Sequence, residues 1–182
     1  MKQKIYVKRI NKDIKLPKIL RKGDWIDLCA AETRKFEAPQ SDTIKYKNAE
    51  SKRQGYYKVV FDLQLIPLGI AMLLPNGMEG WLLPRSSTAK GMGLIQANSK
   101  GIVDGGPEGY NGPEDEWKFP AIAIRDTTIT AGERVCQFRI ALSQKATFWQ
   151  KIKWFLSNGV EIIEVDELPA KGNRGGFGTT GK

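Results

Sequence analysis

The chain is divided into short apolar segments by turn-forming residues, and this division limits the possible folds more than any other feature of the sequence. Pro75-Asn76-Gly77 and Asn158-Gly159 are two of the separators, and proline, asparagine and glycine at such points favour turns. Many short segments between turns predict an all-β sandwich or barrel. We expect strands at residues 5–10, 25–30, 59–71, 78–84, 94–98, 102–104, 119–125, 134–142 and 160–165.

The length of 182 residues suits one domain, which we place at residues 1–170, with a glycine-rich tail at 171–182 that is expected to be mobile without a ligand. Residues 34–58 are polar, lysine-rich and without a clear pattern, so they predict an inserted surface excursion. No run approaches the roughly 18 apolar residues of a membrane span, and no apolar run follows the basic N-terminus. We therefore expect a cytoplasmic protein.

A second insertion, at about residues 145–159, has the spacing of a short helix. Its apolar residues fall at i, i+4, i+7 and i+8 and predict one helical face: Phe148, Ile152, Phe155 and Leu156. Thr147 could cap its start and Gly159 its end. Packing of this face on the protein itself is the favoured role. A membrane-surface role is the alternative, because tryptophans and lysines accompany the face.

The absence of histidine excludes histidine acid–base chemistry and histidine-ligated zinc. Cys29 and Cys136 lie far apart without metal-site spacing, which predicts free, buried thiols in a reducing compartment. The net charge of +9 is concentrated in residues 1–22, where nine basic residues against one acid give +8. Such a fringe could attract nucleic acid, but a solvated surface is the preferred interpretation.

Four segments carry groups suited to phosphate or carboxylate chemistry. Arg85, Ser86 and Ser87 follow an apolar segment and offer a guanidinium fork beside two hydroxyls, which phosphate oxygens favour. Asp104 follows two apolar residues and precedes two glycines, which predicts a hairpin with a carboxylate at its mouth. An ordinary turn-forming role for this aspartate is the alternative.

The other two segments lie towards the C-terminus. Gln137 presents an amide from a predicted strand that follows a turn at Gly132. The tail contains Arg174-Gly175-Gly176-Phe177-Gly178-Thr179-Thr180, in which glycine backbones could wrap an anion and Phe177 could cover a base. A linker is the alternative for this tail.

In this order the segments resemble the five motifs of the trimeric dUTPase family. The counterparts are residues 23–32, 84–91, 98–112, 132–140 and 174–181. The relatives that they resemble most are the dUTPases of Gram-positive bacteria and their phages. The resemblance implies a jelly-roll-like (β-clip) fold, a homotrimer with sites built from all three chains, and hydrolysis of dUTP to dUMP and pyrophosphate with Mg²⁺.

The resemblance also implies a role for each residue that matches a family motif. Asp104 would activate the attacking water, Asn98 would read the uracil edge, and Tyr110 would select deoxyribose. Asp27 would position metal-bound water indirectly. The remaining residues would hold the phosphates or close over the base: Arg85, Ser86, Ser87, Gln137, Arg174, Phe177, Thr179 and Thr180.

The sequence departs from the family pattern at three places. The sugar-selecting aromatic residue usually follows the catalytic aspartate after two intervening residues, whereas Tyr110 follows after five, so either Tyr110 or Pro107 fills that position, with Tyr110 favoured. The tail arginine usually stands five residues before the phenylalanine, but Arg174 stands three before Phe177. The first motif has Trp25-Ile26-Asp27 where the family has glycine, an aromatic residue and aspartate.

Three alternatives remain at the sequence level. A dCTP deaminase of the same fold would need an acid on the strand at residues 119–124, and this segment contains none. A regulatory protein that acts through its insertions, at 34–58 and 145–159, is the second alternative and is compatible with hydrolysis. Binding of nucleic acid through the basic N-terminal segment is the third.

Overall fold

The computed structural model describes residues 1–19, 23–44, 56–106, 108–169 and 174–176, and in these residues the regular secondary structure consists almost entirely of strands. The strands are β1 (Gln3–Arg9), β2 (Ile26–Cys29), β3 (Arg34–Phe36), β4 (Gln40–Ile44), β5 (Tyr56–Val60), β6 (Leu63–Pro67), β7 (Ile70–Leu73), β8 (Met78–Pro84), β9 (Leu94–Gln96), β10 (Gly101–Asp104), β11 (Lys118–Ala123), β12 (Thr127–Ile129), β13 (Arg134–Leu142) and β14 (Val160–Glu164). One α-helix, α1 (Phe148–Phe155), and a π-helical turn (Thr88–Met92) accompany them. The all-β prediction with one inserted helix is confirmed.

The strands form small sheets around one core. The largest has the order β10-β8-β13-β2, and two three-stranded sheets have the orders β14-β1-β7 and β6-β11-β9. The pairs β12-β3 and β4-β5 complete the arrangement. Only β1 and β14 pair in parallel among the described strands; the other pairs are antiparallel.

The inward residues of the sheets form one hydrophobic cluster. Strand β8 alternates buried and half-buried residues, as expected for a strand with one face on a core. Strand β11 is buried over most of its length because β6 and β9 flank it. Trp117, Phe119 and Phe138 are the largest fully buried side chains of the cluster, and the rings of Trp117 and Phe138 meet edge to face at 5.3 Å.

The prediction of one strand over residues 59–71 is wrong. The segment is divided into the end of β5, β6 and the start of β7. Gly69 has φ +66°, which ends β6 because extended strands need negative φ. Asp62 interrupts the segment between β5 and β6, where its carboxylate accepts a hydrogen bond from the backbone N–H of Glu37 at 3.0 Å.

The stretch 34–58 is more regular than its composition indicated. Its first three residues form β3, which pairs with β12, and Phe36 is 3% exposed in the core. Strands β4 and β5 pair with each other further along. Neither β12 nor β3 was expected from the sequence, because three-residue strands show too little alternation to be detected.

The hairpin that was predicted at Asp104 is not formed. Strand β10 pairs with the earlier strand β8, and no described residue after Asp104 pairs with it as a strand. The chain instead turns back tightly, and the backbone N–H of Tyr110 donates to the backbone oxygen of Asp104 at 3.0 Å. A Cβ at Gly109 would overlap that same oxygen, so the bend requires glycine there.

The helix prediction is confirmed in position and in its N-cap, whereas its C-cap and its packing face are wrong. Thr147 forms a capping box with Gln150, and the helix ends at Phe155 with Leu156 as its C-cap rather than Gly159. The side that contacts the core carries Trp154. Three of the four residues of the predicted packing face are exposed, by 68% to 85%: Phe148, Phe155 and Leu156. Among the described residues, no helix is long and apolar enough to cross a membrane.

Candidate active site

A cavity of about 280 Å³ lies where β10 ends and brings together four residues that the sequence predicted as functional. Those residues are Asn98, Asp104, Tyr110 and Arg174. Residues of β10 also line it, together with the apolar residues Leu82, Trp117 and Pro120. A partly apolar cavity with a few convergent polar groups is the usual form of a small-molecule site.

Asp104 is the last residue of β10, and its side chain is 57% exposed at the rim of the cavity. Its Oδ2 accepts a hydrogen bond of 2.6 Å from Nη1 of Arg174, which is 38% exposed. The carboxylate is thus accessible to water and to a ligand, and its charge is paired across the rim. An ion pair at such exposure contributes little to the stability of the fold, so we consider the Asp104–Arg174 pair for its role in the site.

Tyr110 lines the cavity next to the end of β10, where its backbone is hydrogen-bonded to that of Asp104. Its hydroxyl donates to the backbone oxygen of Glu116 at 2.8 Å. Burial, followed by the charges of Asp115 and Glu116, raises the pKa of Tyr110 to about 12. The ring is therefore a neutral, fixed surface. The position of Tyr110 supports its assignment as the aromatic residue of this site, while Pro107 lies outside the described residues.

Asn98 follows β9 and is oriented by a buried neighbour. Gln96 is 5% exposed, and its Nε2 donates both to Oδ1 of Asn98 at 2.9 Å and to the backbone oxygen of Leu82 at 3.1 Å. This bond orients the Asn98 amide, whose Nδ2 can donate to a ligand carbonyl.

A second polar cluster lies at the far end of β8 and contains the remaining predicted residues of the folded domain. Asp27 on β2 is its centre, with a side chain that is 17% exposed. Its Oδ1 accepts from Nε of Arg85 at 2.8 Å, and its Oδ2 accepts from Nη1 of Arg134 at 2.9 Å. One carboxylate therefore holds two guanidinium groups side by side. Two neighbouring positive charges of this kind suit the binding of a polyanion.

The backbone around Arg85 is fixed by Thr88, which is fully buried. The Thr88 hydroxyl accepts from the backbone N–H of Arg85 at 2.9 Å and donates to the backbone oxygen of Val135 at 3.0 Å. Ser86 and Ser87 are exposed in the turn between them. Gln137 joins the cluster from β13, with Nε2 donating to the backbone oxygen of Pro84 at 3.0 Å.

The two clusters lie at opposite ends of the same strand. Asp104 pairs with Glu79 at the start of β8, and Arg85 follows its end. Six residues of extended strand separate these ends by about 20 Å. One chain therefore does not bring Asp104 together with Arg85 and Gln137. Phe177, Thr179 and Thr180 lie outside the described residues.

Two residues of the cavity region were missed by the sequence reasoning. Asp115 is 2% exposed and receives backbone hydrogen bonds from the tail. Trp117 lines the cavity, and its Nε1 is one of the buried polar atoms for which the described part of the chain supplies no partner. In the sequence, Asp115 stands between two other acids, Glu114 and Glu116. Only its burial in the fold distinguishes it from them, so the sequence offered no reason to select it as a functional residue.

The described residues contain no group of three acids, cysteines or histidines that could hold a metal ion. Asp27 is engaged with two arginines, so it does not offer a vacant ligand pair. Mg²⁺ commonly keeps its waters and binds through substrate phosphates and one or two carboxylates. The donor set therefore fits an ion that keeps most of its waters and arrives with a phosphate ligand.

The two cysteines are free, as predicted. Cys136 is buried beside Asp27, and burial raises its thiol pKa well above the usual value. Cys29 is half-buried, and desolvation also raises its pKa. Both are therefore protonated, unreactive packing residues.

The fold and the two clusters define a class: a jelly-roll-like β-protein with a nucleoside-sized cavity at one end of a sheet and an arginine–hydroxyl cluster at the other. A solved dUTPase from Streptococcus mutans superposes with a TM-score of 0.57 and 23% identity, over 78% of this chain and 98% of that one. A dUTPase from phage phi11 of S. aureus, whose structure shows a structural Mg(II) ion, gives 0.56 at 15% identity over 79% and 94%.

Sequence comparison gives the particular family. The chain is 42% identical over 173 residues to the SPbeta prophage-derived deoxyuridine 5'-triphosphate nucleotidohydrolase of Bacillus subtilis, covering 95% of this chain and 89% of that protein. No protein-family model matches the chain. At this identity and coverage, the chain belongs to the dUTPase family.

Proposed function

We propose that the protein hydrolyses dUTP to dUMP and pyrophosphate. The observation that carries the proposal is the cavity that joins Asn98, Asp104 and Tyr110 at one end of β8, together with the Arg85 cluster at the other. In a cell this reaction would keep uracil out of DNA and supply dUMP for dTMP synthesis. The 42% identity to a dUTP nucleotidohydrolase supports the assignment.

Asp104 is the group that accepts a proton from water in this proposal. The water oxygen forms a bond to the α-phosphorus, the bond between that phosphorus and the bridging oxygen breaks, and pyrophosphate leaves with the electron pair. A carboxylate is a weak base, so the step depends on position and on neutralised phosphates. The exposed carboxylate at the cavity rim provides that position.

Asn98 would donate from Nδ2 to a uracil carbonyl, with its amide oriented by the hydrogen bond from Gln96. Tyr110 would lie against the deoxyribose as a neutral ring. Mg²⁺ would neutralise phosphate charge when it is bound, with Asp27 contacting its waters. Arg85, Ser86, Ser87 and Gln137 would hold the phosphates.

The separation of about 20 Å between Asp104 and Arg85 requires more than one chain for each site. We therefore propose a homotrimer in which the Asp104 end of one chain faces the Arg85 end of a neighbour. Phe177 would stack on uracil as the tail closes, and Arg174, Thr179 and Thr180 would contact the γ-phosphate.

Pyrophosphate release from dUTP, dTTP, dCTP and UTP tests the proposal. We expect release from dUTP alone, since the family resemblance implies selection against a 5-methyl group, a cytosine edge and a 2'-hydroxyl. Equal turnover of UTP would contradict the role of Tyr110. Release of ammonia from dCTP would indicate a deaminase instead, although β11 carries no acid beside the cavity.

A second candidate function is binding of a regulatory protein through α1, which could coexist with hydrolysis. The exposed apolar residues Phe148, Phe155 and Leu156 favour it over nucleic-acid binding. The double substitution Phe155→Ser/Leu156→Ser should abolish binding of a purified candidate partner while dUTP turnover persists. Loss of turnover together with unchanged partner binding would contradict this function.

The two free thiols are consistent with the cytoplasmic location that we propose.

A further inference from the structure

We propose that Gln96 is a specificity-determining positioning residue, which holds the Asn98 amide so that its Nδ2 donates to the 4-carbonyl of uracil rather than facing the 4-amino group of cytosine. The inference rests on the proposed function and deepens it, because it says how the site separates dUTP from dCTP. Asn98 would contact the base, whereas Gln96 would act only through Asn98. Gln96 lies outside the five segments that carry the family resemblance.

Gln96 is held in place by its own strand and by the turn that follows it. It is the last residue of β9, where it pairs with Ala121 of β11, and it is 5% exposed. Its backbone oxygen accepts a hydrogen bond from the backbone N–H of Ser99 at 3.4 Å. The Gln96 amide and the turn that carries Asn98 are therefore fixed relative to the same sheet.

A backbone carbonyl determines which way both side-chain amides point. The oxygen of Leu82 can only accept, so the atom of the Gln96 amide that lies 3.1 Å from it must be the donor Nε2. The same Nε2 lies 2.9 Å from the Asn98 amide, so the atom that it faces there must be the acceptor Oδ1. A reversed Asn98 amide would set two donors against each other. The orientation of Asn98 thus follows from Leu82 through Gln96.

The hydrogen bonds of Gln96 leave one of its own atoms unpaired. Its Oε1 is buried and has no hydrogen-bond partner among the residues that the structure describes. A buried acceptor without a partner is unfavourable for the fold. The two bonds that Nε2 donates are formed despite this penalty, which favours a role for them beyond packing.

The orientation of the Asn98 amide matters because of the chemistry of the two bases. Asn98 lines the cavity together with Asp104 and Tyr110. Uracil and cytosine both carry an oxygen at position 2, so a donor at that position does not distinguish them. At position 4 uracil carries an acceptor oxygen, whereas cytosine carries a donor amino group. An amide held with its donor towards position 4 therefore selects uracil, because cytosine would leave two donors facing each other.

The dissociation constants of α,β-imido-dUTP and α,β-imido-dCTP, measured by calorimetric titration, test this role without requiring turnover. Gln96→Met removes the donor with little change in volume and should lower the preference for the uracil analogue by about 10-fold. Gln96→Glu replaces the donor by an acceptor, which should turn the Asn98 amide and lower the preference at least as far. An unchanged preference in either variant would overturn the proposal.

Gln3→Met is the matched control. Gln3 is also a buried glutamine, at 3% exposed, and its Nε2 donates to the backbone oxygen of Lys153. The control should keep the preference of the unmodified protein, because Gln3 lies on β1 and does not contact Asn98. A fall as large as that in Gln96→Met would mean that loss of any buried glutamine lowers selectivity, and it would overturn the specific role of Gln96.

Removal of Asn98 tests whether Gln96 acts through it alone. In an Asn98→Ala background, Gln96→Met should leave the preference where Asn98→Ala has set it, because no amide remains to be oriented. A further fall would show another route and would overturn the inference. If the unmodified protein leaves dUTP uncleaved, the proposed function fails. If it cleaves dUTP and its base preference survives the Gln96 substitutions, this inference alone fails.

Thio-substituted nucleotides locate the contact on the base. Sulfur accepts hydrogen bonds weakly, so the 4-thio form of α,β-imido-dUTP should bind the unmodified protein less tightly than the parent analogue. Gln96→Met should remove most of this difference, while it should leave the effect of a 2-thio substitution unchanged. A 2-thio effect that depends on Gln96 would place the Asn98 donor at the carbonyl that both bases share, and it would overturn the proposal.

Discussion

Nη1 of Arg174 lies 2.6 Å from Oδ2 of Asp104, so a residue of the tail is paired with the carboxylate that we assign as the base. A guanidinium that leaves a carboxylate for a phosphate exchanges one charged partner for another. In our proposal, Arg174 would make this exchange when it contacts the γ-phosphate, and Asp104 would then be free to accept a proton from water. In this proposal Arg174 contacts the γ-phosphate, whereas Asn98 and Tyr110 contact the nucleoside, so their substitution should affect dUTP and dUMP binding differently.

Arg174→Ala should raise KM for dUTP by about 10-fold, the size expected when a charge-assisted hydrogen bond is lost. The dissociation constant of dUMP should change little, because dUMP lacks the γ-phosphate. Steady-state kinetics with dUTP and calorimetric titration with dUMP check the two values. Equal losses for both ligands would place Arg174 against the nucleoside instead.

Asp27→Asn should weaken dUTP binding by about 10-fold, because it removes the charged acceptor that holds Arg85 and Arg134 together. Asp24→Asn is the matched control, since Asp24 pairs with Arg139 at a side chain that is 70% exposed. Measurement of KM in both variants checks this prediction. A larger effect of the control would contradict the assignment of the phosphate cluster.

Thr88→Val should destabilise the fold by about 1–3 kcal/mol, because the backbone N–H of Arg85 and the oxygen of Val135 lose a buried partner. Thr88→Ser keeps the hydroxyl and should cost less. Thr128→Val, at an exposed position, is the control for the loss of a hydroxyl. Thermal unfolding compares the three variants, and equal midpoints would contradict the role of Thr88.

Tyr110 should make stability depend on pH in the alkaline range. Its folded pKa of about 12 exceeds the unfolded value of about 10, so its contribution is fully present below pH 10 and is lost as the pH rises towards 12. Tyr110→Phe should therefore lose less stability than the unmodified protein between about pH 9 and 11. Urea unfolding of the unmodified protein and of Tyr110→Phe at these two pH values measures the difference in free energy of unfolding, and Tyr6→Phe is the control.

Local patterns predicted most of the longer strands and the position of the helix, because these patterns act within a few residues. The capping box of α1 is encoded by Thr147 and Gln150 alone. By contrast, the pairing of β10 with β8 rather than with a following strand depends on residues some twenty positions away. A short apolar segment before a glycine pair is equally compatible with both pairings.

Residue chemistry together with the family resemblance predicted members of both clusters, but not their arrangement. Asn98, Asp104, Tyr110 and Arg174 do share one cavity. The separation of Asp104 from Arg85 follows from the register of β10, β8 and β13, which no motif encodes. Asp115 was missed because its neighbours are acids as well, and only the fold buries one of the three.

Hydrolysis of dUTP in ¹⁸O-labelled water by the unmodified protein and by Asp104→Asn tests the central claim most directly. The account predicts that the label enters dUMP, because water attacks the α-phosphorus. It also predicts that the Asn variant loses about 100-fold or more in turnover while it still binds dUTP. Label in pyrophosphate, an Asn variant with full turnover, or dUTP left uncleaved in the presence of magnesium would contradict it.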